Sequence, residues 1–311
     1  MNKIIVIFIL LINSSFVFGQ SDSNNSLNEP SLTTDSIPFV LTEHNNISIQ
    51  AIINQIDTVN LMLHTAANSV TLIKEATERL QSIKINGIDT VNSWGGDHSS
   101  KYSTNNEIQI GNQKNEKITI WENKNSGPNT DGKFGLNFFE NRIIEINFDE
   151  RYIKTYQALA EEQILNKGYK KFALIEENGF FFISAISKIK DEAITNKFLI
   201  HSGFGGAVLF DDLTADEFGF ATHLKIIKES QLKDSYGNVL KTKKAILPEF
   251  LIAEQQLSNV PIGFFEGSIG RQKMSVIGGD VIKRFDIVFD IQNANIFLKP
   301  NSLFESPFLE I

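Results

Sequence analysis

Short runs in which apolar and polar residues alternate make up most of the chain. In "ISIQAIIN" (47–54), "KITIWEN" (117–123) and, more loosely, "GFFFISAIS" (179–187), apolar side chains recur at every second position. This is the period of a strand with one buried face. Helical spacing is confined to short stretches at 73–80, 157–165 and 214–218. The pattern predicts an all-β fold.

Three blocks of the first half recur in the same order in the second half. "PFVLTEHNNISIQAIIN" matches "KFALIEENGFFFISAIS", "LMLHTAANSVTLI" matches "FLIHSGFGGAVLF", and "FGLNFFENRIIEINFDERYIKTY" matches "IGGDVIKRFDIVFDIQNANIFLK". An ordered repeat of this length indicates two copies of one fold unit. We therefore predict an N-terminal lobe over 37–156, a linker over 157–170 and a C-terminal lobe over 171–304.

The N-terminal residues have the pattern of an export signal. Lys3 precedes the apolar run Ile4–Ile12, and small residues end at Gly19, which predicts a signal peptide over 1–19. Residues 20–36 are rich in Ser, Asn and Asp and predict a flexible leader. The chain has no cysteine, and so neither a disulfide nor a lipid on cysteine is expected. We expect a bacterial protein, periplasmic or secreted.

The charge of the chain restricts its partners. The net charge of −8 argues against nucleic acid. After removal of the signal, no attachment to a membrane is expected. We predict a monomer.

Two histidines occupy matched positions in the repeat. His64 and His201 each end an apolar run and are followed by a hydroxyl residue, Thr65 or Ser202. Gly203 comes next in the second copy, where the first has Ala66. In each copy a hairpin pattern follows, and then apolar residues, a glycine and a short helical segment.

This order of motifs resembles that of the retropepsin-like and pepsin-like aspartic proteases. Their unit is apolar-apolar-Asp-Thr/Ser-Gly, a flap hairpin, and apolar-apolar-Gly closing a loop around the first turn. The resemblance covers nearly the whole chain after the leader and implies a bilobal acid-protease fold, two β-barrel-like lobes with a cleft between them. It matches Gly135 and Gly278 to the closing glycines. It places His64 and His201 at the two catalytic aspartates.

The resemblance also assigns roles to the neighbouring residues. Thr65 and Ser202 match hydroxyls that bind backbone across the two turns and hold them rigid. Gly203 matches the glycine that lets backbone approach the site. A methyl group at Ala66 is expected to crowd it.

Two imidazoles cannot reproduce the chemistry of two carboxylates that share one proton. Each ring nitrogen points in one direction, and protonated neighbours repel each other. We therefore expect a pseudoenzyme that binds a peptide or another extended ligand without cleaving it. Three alternatives remain: a zinc or copper site at His64 and His201, with His98 as a third ligand; acid–base catalysis by the histidine pair; and peptidase activity through an atypical dyad or unrecognised carboxylates.

The first hairpin, "TVNSWGGDHSSKYS", supplies the candidate flap. Trp94, Gly95, His98 and Tyr102 are the candidate cleft residues on it. Its aromatic residues could cover a ligand or pack across the hairpin, and the sequence does not decide between the two. Four further polar residues receive no role: we expect His44 and His223 at exposed strand ends, and Asp286 and Asp290 in turns or on the surface.

Overall fold

A computed structural model describes residues 35–93, 96–233, 239–265 and 272–309. It contains 22 strands and five short α-helices among these residues. The strands are β1 Asp35–Pro38, β2 Val40–Leu41, β3 Ile47–Ile53, β4 Asp57–Leu63, β5 Val70–Ile73, β6 Gly87–Ser93, β7 Gly96–Ile110, β8 Gln113–Asn123, β9 Gly132–Phe134, β10 Ile143–Asn147, β11 Tyr152–Tyr156, β12 Lys170–Ala173, β13 Ile175–Glu177, β14 Phe180–Ile189, β15 Glu192–His201, β16 Val208–Leu209, β17 Ile226–Lys233, β18 Val239–Ile252, β19 Gln255–Phe264, β20 Ser275–Gly278, β21 Phe285–Asp290 and β22 Asn295–Pro300. The helices are α1 Lys74–Arg79, α2 Glu161–Leu165, α3 Asp212–Glu217, α4 Phe220–His223 and α5 Gly279–Ile282, with 3₁₀ turns at Leu136–Phe139 and Ile291–Asn293.

The two halves of the chain build the same sheet. The first eight-stranded sheet has the order β2-β3-β4-β9-β5-β8-β7-β6, with β3 also paired to β7. The second has the order β13-β14-β15-β20-β16-β19-β18-β17, with β14 also paired to β18. Each strand of one sheet therefore has its counterpart at the same place in the other. The two sheets confirm the internal repeat.

A third sheet joins the halves. Its order is β1-β11-β10-β21-β22-β12, so that three strands come from each half. The two halves meet where β10 pairs with β21, with Ile144 opposite Phe289 and Ile146 opposite Ile287. All four of these side chains are buried. The first strand begins at Asp35, within the segment expected to be a flexible leader, because it pairs with β11 from Asp35 to Pro38.

The alternating pattern places the core as the sequence predicts. In β3, Ile47, Ile49, Ala51 and Ile53 are buried and the residues between them are more exposed. The strand that leads to His201 departs from alternation, since Phe198, Leu199 and Ile200 are all buried. Such a continuous run is typical of a strand covered on both faces.

The helices are short, as expected for this class of fold. Those predicted at 73–80, 157–165 and 214–218 correspond to α1, α2 and α3. A short helical turn also follows each of the two closing glycines. Among the described residues, no helix has both the length and the apolar character that crossing a membrane would require.

Candidate functional site

Two matched turns bring His64 and His201 together. His64 follows β4, and its backbone N–H donates to the Phe134 carbonyl of β9 at 2.8 Å. His201 ends β15 and lies opposite Gly278 of β20. The ring centroids of the two histidines are 4.5 Å apart, with their planes inclined by 54°. The repeat therefore places both imidazoles in contact on the floor of one cleft.

The hydroxyls after the histidines fasten the two turns to each other. Thr65 Oγ1 accepts the Ser202 N–H at 3.0 Å and donates to the Ile200 carbonyl at 2.6 Å. Ser202 Oγ accepts the Thr65 N–H at 3.0 Å and donates to the Leu63 carbonyl at 2.6 Å. Both side chains are buried. These four bonds are the cross-lobe contacts expected for Thr65 and Ser202.

A second set of bonds reaches the same junction from the turn between β2 and β3. Asn46 Nδ2 donates to the Ser202 carbonyl at 2.8 Å, and Asn45 Nδ2 donates to the Gly205 carbonyl at 2.9 Å. Both asparagines are buried. Neither residue stands out in the sequence, because asparagine in a turn is usually explained by local backbone geometry.

Glycines let the backbone close in around the turns. A Cβ atom on Gly203 would lie 2.3 Å from Cδ2 of the His64 ring. One on Gly135 would lie 1.8 Å from the Ala67 carbonyl oxygen, and one on Gly278 would lie 2.2 Å from that of Gly206. Gly203 therefore makes room for the ring of the opposite turn. In the first turn, the methyl group of Ala66 lines the cleft at the matching place.

Burial keeps both imidazoles in the neutral form. It lowers the pKa of His64 well below its usual 6.5, and repulsion from His201 and Lys133 lowers that pKa further. Burial likewise lowers the pKa of His201 to about 4, again with a contribution from Lys133. The Nδ1 atom of each ring is buried without a hydrogen-bond partner among the described residues. Near neutral pH the pair is uncharged.

Lys133 is a basic group of the cleft that the repeat pattern does not predict. It lies in β9, one residue before the phenylalanine whose carbonyl binds His64, and it lines the cleft. The expected motif before the closing glycine is two apolar residues, but the first half has Lys-Phe-Gly there. Burial lowers the pKa of its ammonium group. The break in that motif is the signal that could have revealed it.

The cleft has a volume of about 1120 Å³ and is lined by both lobes. Apolar side chains line much of it, and turn residues from both halves supply polar groups. Among the described lining residues, Glu122 is the only one with a carboxyl group, and it accepts a hydrogen bond from Thr77 Oγ1 at 2.8 Å. The described part of the cleft therefore lacks a pair of carboxylates. Its main apolar lining residues are Met62, Trp121, Phe180, Leu199, Leu209 and Val276.

The structure describes only some of the candidate flap residues. Trp94 and Gly95 lie outside the described residues. His98 is opposite Val91 in the β6–β7 pairing, and its side chain is likewise outside the description. Tyr102 packs across the sheet on Trp121, with ring centroids 4.9 Å apart. Tyr102 thus serves as cross-strand packing, and Trp121, missed in the sequence, presents the aromatic surface to the cleft.

His44 and His223 are exposed, as expected, but neither ends a strand, and Asp286 and Asp290 are buried, contrary to expectation. His44 lies in the turn after β2 and lines the cleft, because this turn reaches over to Gly205 of the other lobe. His223 ends helix α4 and not a strand. Asp286 is fully buried in β21, where it accepts the Phe148 N–H at 2.9 Å.

The described residues contain no group of three or more His, Cys, Asp or Glu side chains placed to hold a metal ion. The histidine pair alone offers two ligands, while a catalytic zinc site usually has three protein ligands. The positive charge of Lys133 beside both rings opposes a cation there. Zinc at His64 and His201 stays a prediction.

Comparison with known proteins supports the fold. No protein-family model matches the chain, and no curated protein matches it. Among solved structures, the crystal structure of aspartic proteinase from Irpex lacteus aligns with a TM-score of 0.58 at 13% sequence identity, covering 88% of this chain and 99% of that chain. At this identity the likeness establishes the fold alone. The chain has the all-β, bilobal fold of the pepsin-like aspartic proteases, as the sequence predicted.

Proposed function

We propose that this protein is an exported, catalytically inactive member of the aspartic-protease fold that binds a peptide or another extended ligand in its cleft. The observation that carries the proposal is the pair of contacting imidazoles at the point where the resemblance expects two aspartates. Aspartic-protease chemistry needs one carboxylate to take a proton from water while its partner donates one to the substrate. Two neutral imidazoles offer neither the shared proton nor the paired oxygens.

The structure around the two histidines favours a binding role. The four hydroxyl bonds between the turns, the close glycine contacts and the wide cleft are all present. A volume of about 1120 Å³ is slightly above the usual range for small-ligand pockets and suits a short extended chain. The cleft combines apolar walls with turn residues that offer polar groups. Such a lining suits a peptide, whose backbone and side chains need both.

A pool of synthetic decapeptides tests binding and cleavage together. The purified protein, without a histidine tag, is incubated with the pool at pH 7 and pH 4, and mass spectrometry identifies retained and cleaved peptides. We expect retention without cleavage at pH 7 and no cleavage at pH 4. A pepstatin-type inhibitor should leave the melting temperature unchanged. Cleavage by the unmodified protein would overturn the inactive assignment, and absence of retention would overturn the binding role.

A matched pair of variants ties retention to the cleft. Ala66→Trp places a large side chain on the cleft floor, whereas Ala193→Trp places one at an exposed position in β15. We expect the first to abolish retention and the second to preserve it. Equal retention by both variants would place the ligand elsewhere.

Export is part of the proposal and rests on the N-terminal sequence. Removal of residues 1–19 would leave Gln20 as the first residue. Expression of the full chain in a bacterium, followed by mass spectrometry of the periplasmic and medium fractions, should recover a chain beginning there. Recovery of the uncut chain in the cytoplasm alone would contradict export.

The zinc alternative has one observation in its favour. The buried Nδ1 atoms of His64 and His201 have no hydrogen-bond partner among the described residues, and neutral imidazole nitrogens are good zinc ligands. Elemental analysis of the untagged protein tests it. Stoichiometric zinc that is lost in the His64→Ala variant would support the metal site and replace the inactive-binding proposal.

A further inference from the structure

Lys133 has no counter-charge in the described part of the chain. Its ammonium group makes no hydrogen bond or ion pair with any described residue, although the residue is half-buried on the cleft floor. At the matching place in the second half, β20 carries the apolar Val276. The lysine therefore breaks the symmetry of an otherwise repeated floor. The fold does not need an ammonium group there, because the other copy is built without one.

Two bases lie within the electrostatic reach of Lys133. Its charge acts on both His64 and His201, lowering the pKa of each ring. The remaining ionisable groups on the described cleft walls are His44, Lys273 and Glu122. The carboxylate of Glu122 accepts a hydrogen bond from Thr77 and lies 4.0 Å from the ammonium group of Lys101. It therefore already has partners other than Lys133. The floor is locally cationic.

The two imidazoles add hydrogen-bonding capacity to this charge. A neutral imidazole has one N–H donor, and neither Nδ1 atom has a partner among the described residues. An unpaired cation and unpartnered ring nitrogens are costly when they are withdrawn from water. An anionic group entering the cleft would pair with the Lys133 ammonium, which neither a cation nor an uncharged group would do.

We propose that the ligand of the cleft is an acidic peptide, held by a carboxylate that pairs with the Lys133 ammonium and contacts the His64–His201 pair. This rests on the proposed peptide-binding function and names the chemical class of its ligand. The overall charge of the protein sharpens the proposal. A net charge of −8 repels acidic peptides in general, and so a preference for them must come from a local site.

Two decapeptide pools separate this inference from the proposed function. The first has free C-termini and contains Asp and Glu. The second is identical except that Asn and Gln replace them and the C-termini are amides. Two intermediate pools, each with one of these changes, show whether the C-terminal or a side-chain carboxylate is bound. Retention at pH 7 is measured by mass spectrometry, followed by titration calorimetry on resynthesised peptides.

We expect the acidic peptides to bind at least tenfold more tightly than their neutral twins, as a charge-assisted contact would provide. Lys133→Met should abolish this difference, so that acidic peptides and their neutral twins bind with equal affinity. Lys84→Met, at an exposed position that does not line the cleft, is the matched control and should change neither affinity. Lys133→Arg should retain the preference, because it keeps the charge.

Each outcome has a defined meaning. Equal retention of acidic and neutral pools overturns the carboxylate inference and leaves the proposed peptide binding intact. Retention of neither pool overturns both. If Lys133→Met does not fold, the comparison of acidic and neutral peptides on the unmodified protein and on Lys133→Arg still decides. An acidic preference that persists in a folded Lys133→Met protein would place the anion site elsewhere and overturn the inference.

Discussion

At the scale of single residues, the cleft floor holds three bases whose pKa values are lowered by burial. Desolvation is the largest cause of the lowered pKa at His64, His201 and Lys133. Among these three, charge repulsion adds to desolvation at both histidines. The floor of an active aspartic protease is organised around a negative charge and one mobile proton. In this protein the floor of the cleft holds two neutral imidazole rings.

The first prediction concerns stability in acid. The pKa of His201 is about 4 in the folded protein, below its value of 6.5 in an unfolded chain. Between these values the unfolded state binds more protons, and so the free energy of unfolding falls as the pH drops from about 6.5 to about 4. His201 contributes a loss of at most about 3 kcal/mol over that window. Above pH 6.5 its contribution is constant.

Urea unfolding at pH 7, 5.5 and 4 measures this loss. His201→Gln should flatten the pH dependence relative to the parent. His223→Gln changes an exposed histidine and should leave it unaltered. Comparison with the parent removes the part of the pH dependence that the three proteins share. Identical slopes for His201→Gln and His223→Gln would show that the buried ring is not held neutral by the fold.

The second prediction concerns Gly203. Its Cα faces the edge of the His64 ring so closely that an added methyl group would overlap it. Gly203→Ala should reduce the free energy of unfolding by about 1–3 kcal/mol, as overpacking typically does. In a His64→Ala background the clash is removed. There, Gly203→Ala should reduce the free energy of unfolding by at least about 1 kcal/mol less than it does in the parent. Equal costs in both backgrounds, measured by urea unfolding, would refute the contact.

At the scale of secondary-structure elements, the register of the paired strands determines which residues meet at the site. The parallel pairing of β4 with β9 sets Leu63 opposite Phe134, and that of β15 with β20 sets His201 opposite Gly278. These pairings bring the two closing glycines against the two histidine turns. Polar residues can then be buried at the junction because each one finds its partner on the other turn.

The third prediction tests the hydroxyl bonds between the turns. Thr65→Val keeps the shape of the side chain and removes both bonds of Oγ1. The Ser202 N–H and the Ile200 carbonyl then lose a partner in a buried place, and we expect a loss of about 1–3 kcal/mol of stability. Thr195→Val, at an exposed position in β15, is the control and should have little effect. A Thr65→Val protein that melts like the parent would show that the lobes are held together by other contacts.

At the scale of the whole molecule, the sequence predicted what is repeated and missed what is not. Alternation and the three matched blocks predicted the all-β, bilobal fold, because a repeated unit must bury the same face twice. The pairing of His64 with His201 followed from the same symmetry. Lys133 was missed because it replaces an apolar residue in one copy only. Trp121 was missed because an aromatic residue in an alternating strand is usually core, and only the assembled lobes show that it lines the cleft.

The fourth prediction uses that broken symmetry to introduce protease activity. In the variant His64→Asp, His201→Asp, Ala66→Gly, two adjacent carboxylates should raise one of their pKa values and share a proton. Lys133 remains beside them, however, and an adjacent cation lowers carboxyl pKa values by about 1–3 units. It would favour two ionised carboxylates and remove the shared proton. Adding Lys133→Val, which copies the valine of the second half, eliminates this charge.

We therefore expect the fourfold variant to cleave the decapeptide pool at pH 4, and the threefold variant to do so at least tenfold more slowly. The parent should cleave nothing. A control that carries Ala66→Gly and Lys133→Val, but has Asp at only one of the two histidine positions, should also be inactive. Mass spectrometry of the cleaved ends measures all four proteins in one assay, with folding checked by circular dichroism. A threefold variant as active as the fourfold one would show that Lys133 does not control the charge of the floor. Cleavage by the parent that persists in both His64→Ala and His201→Ala would show that these turns are not the place where an aspartic protease would carry its dyad.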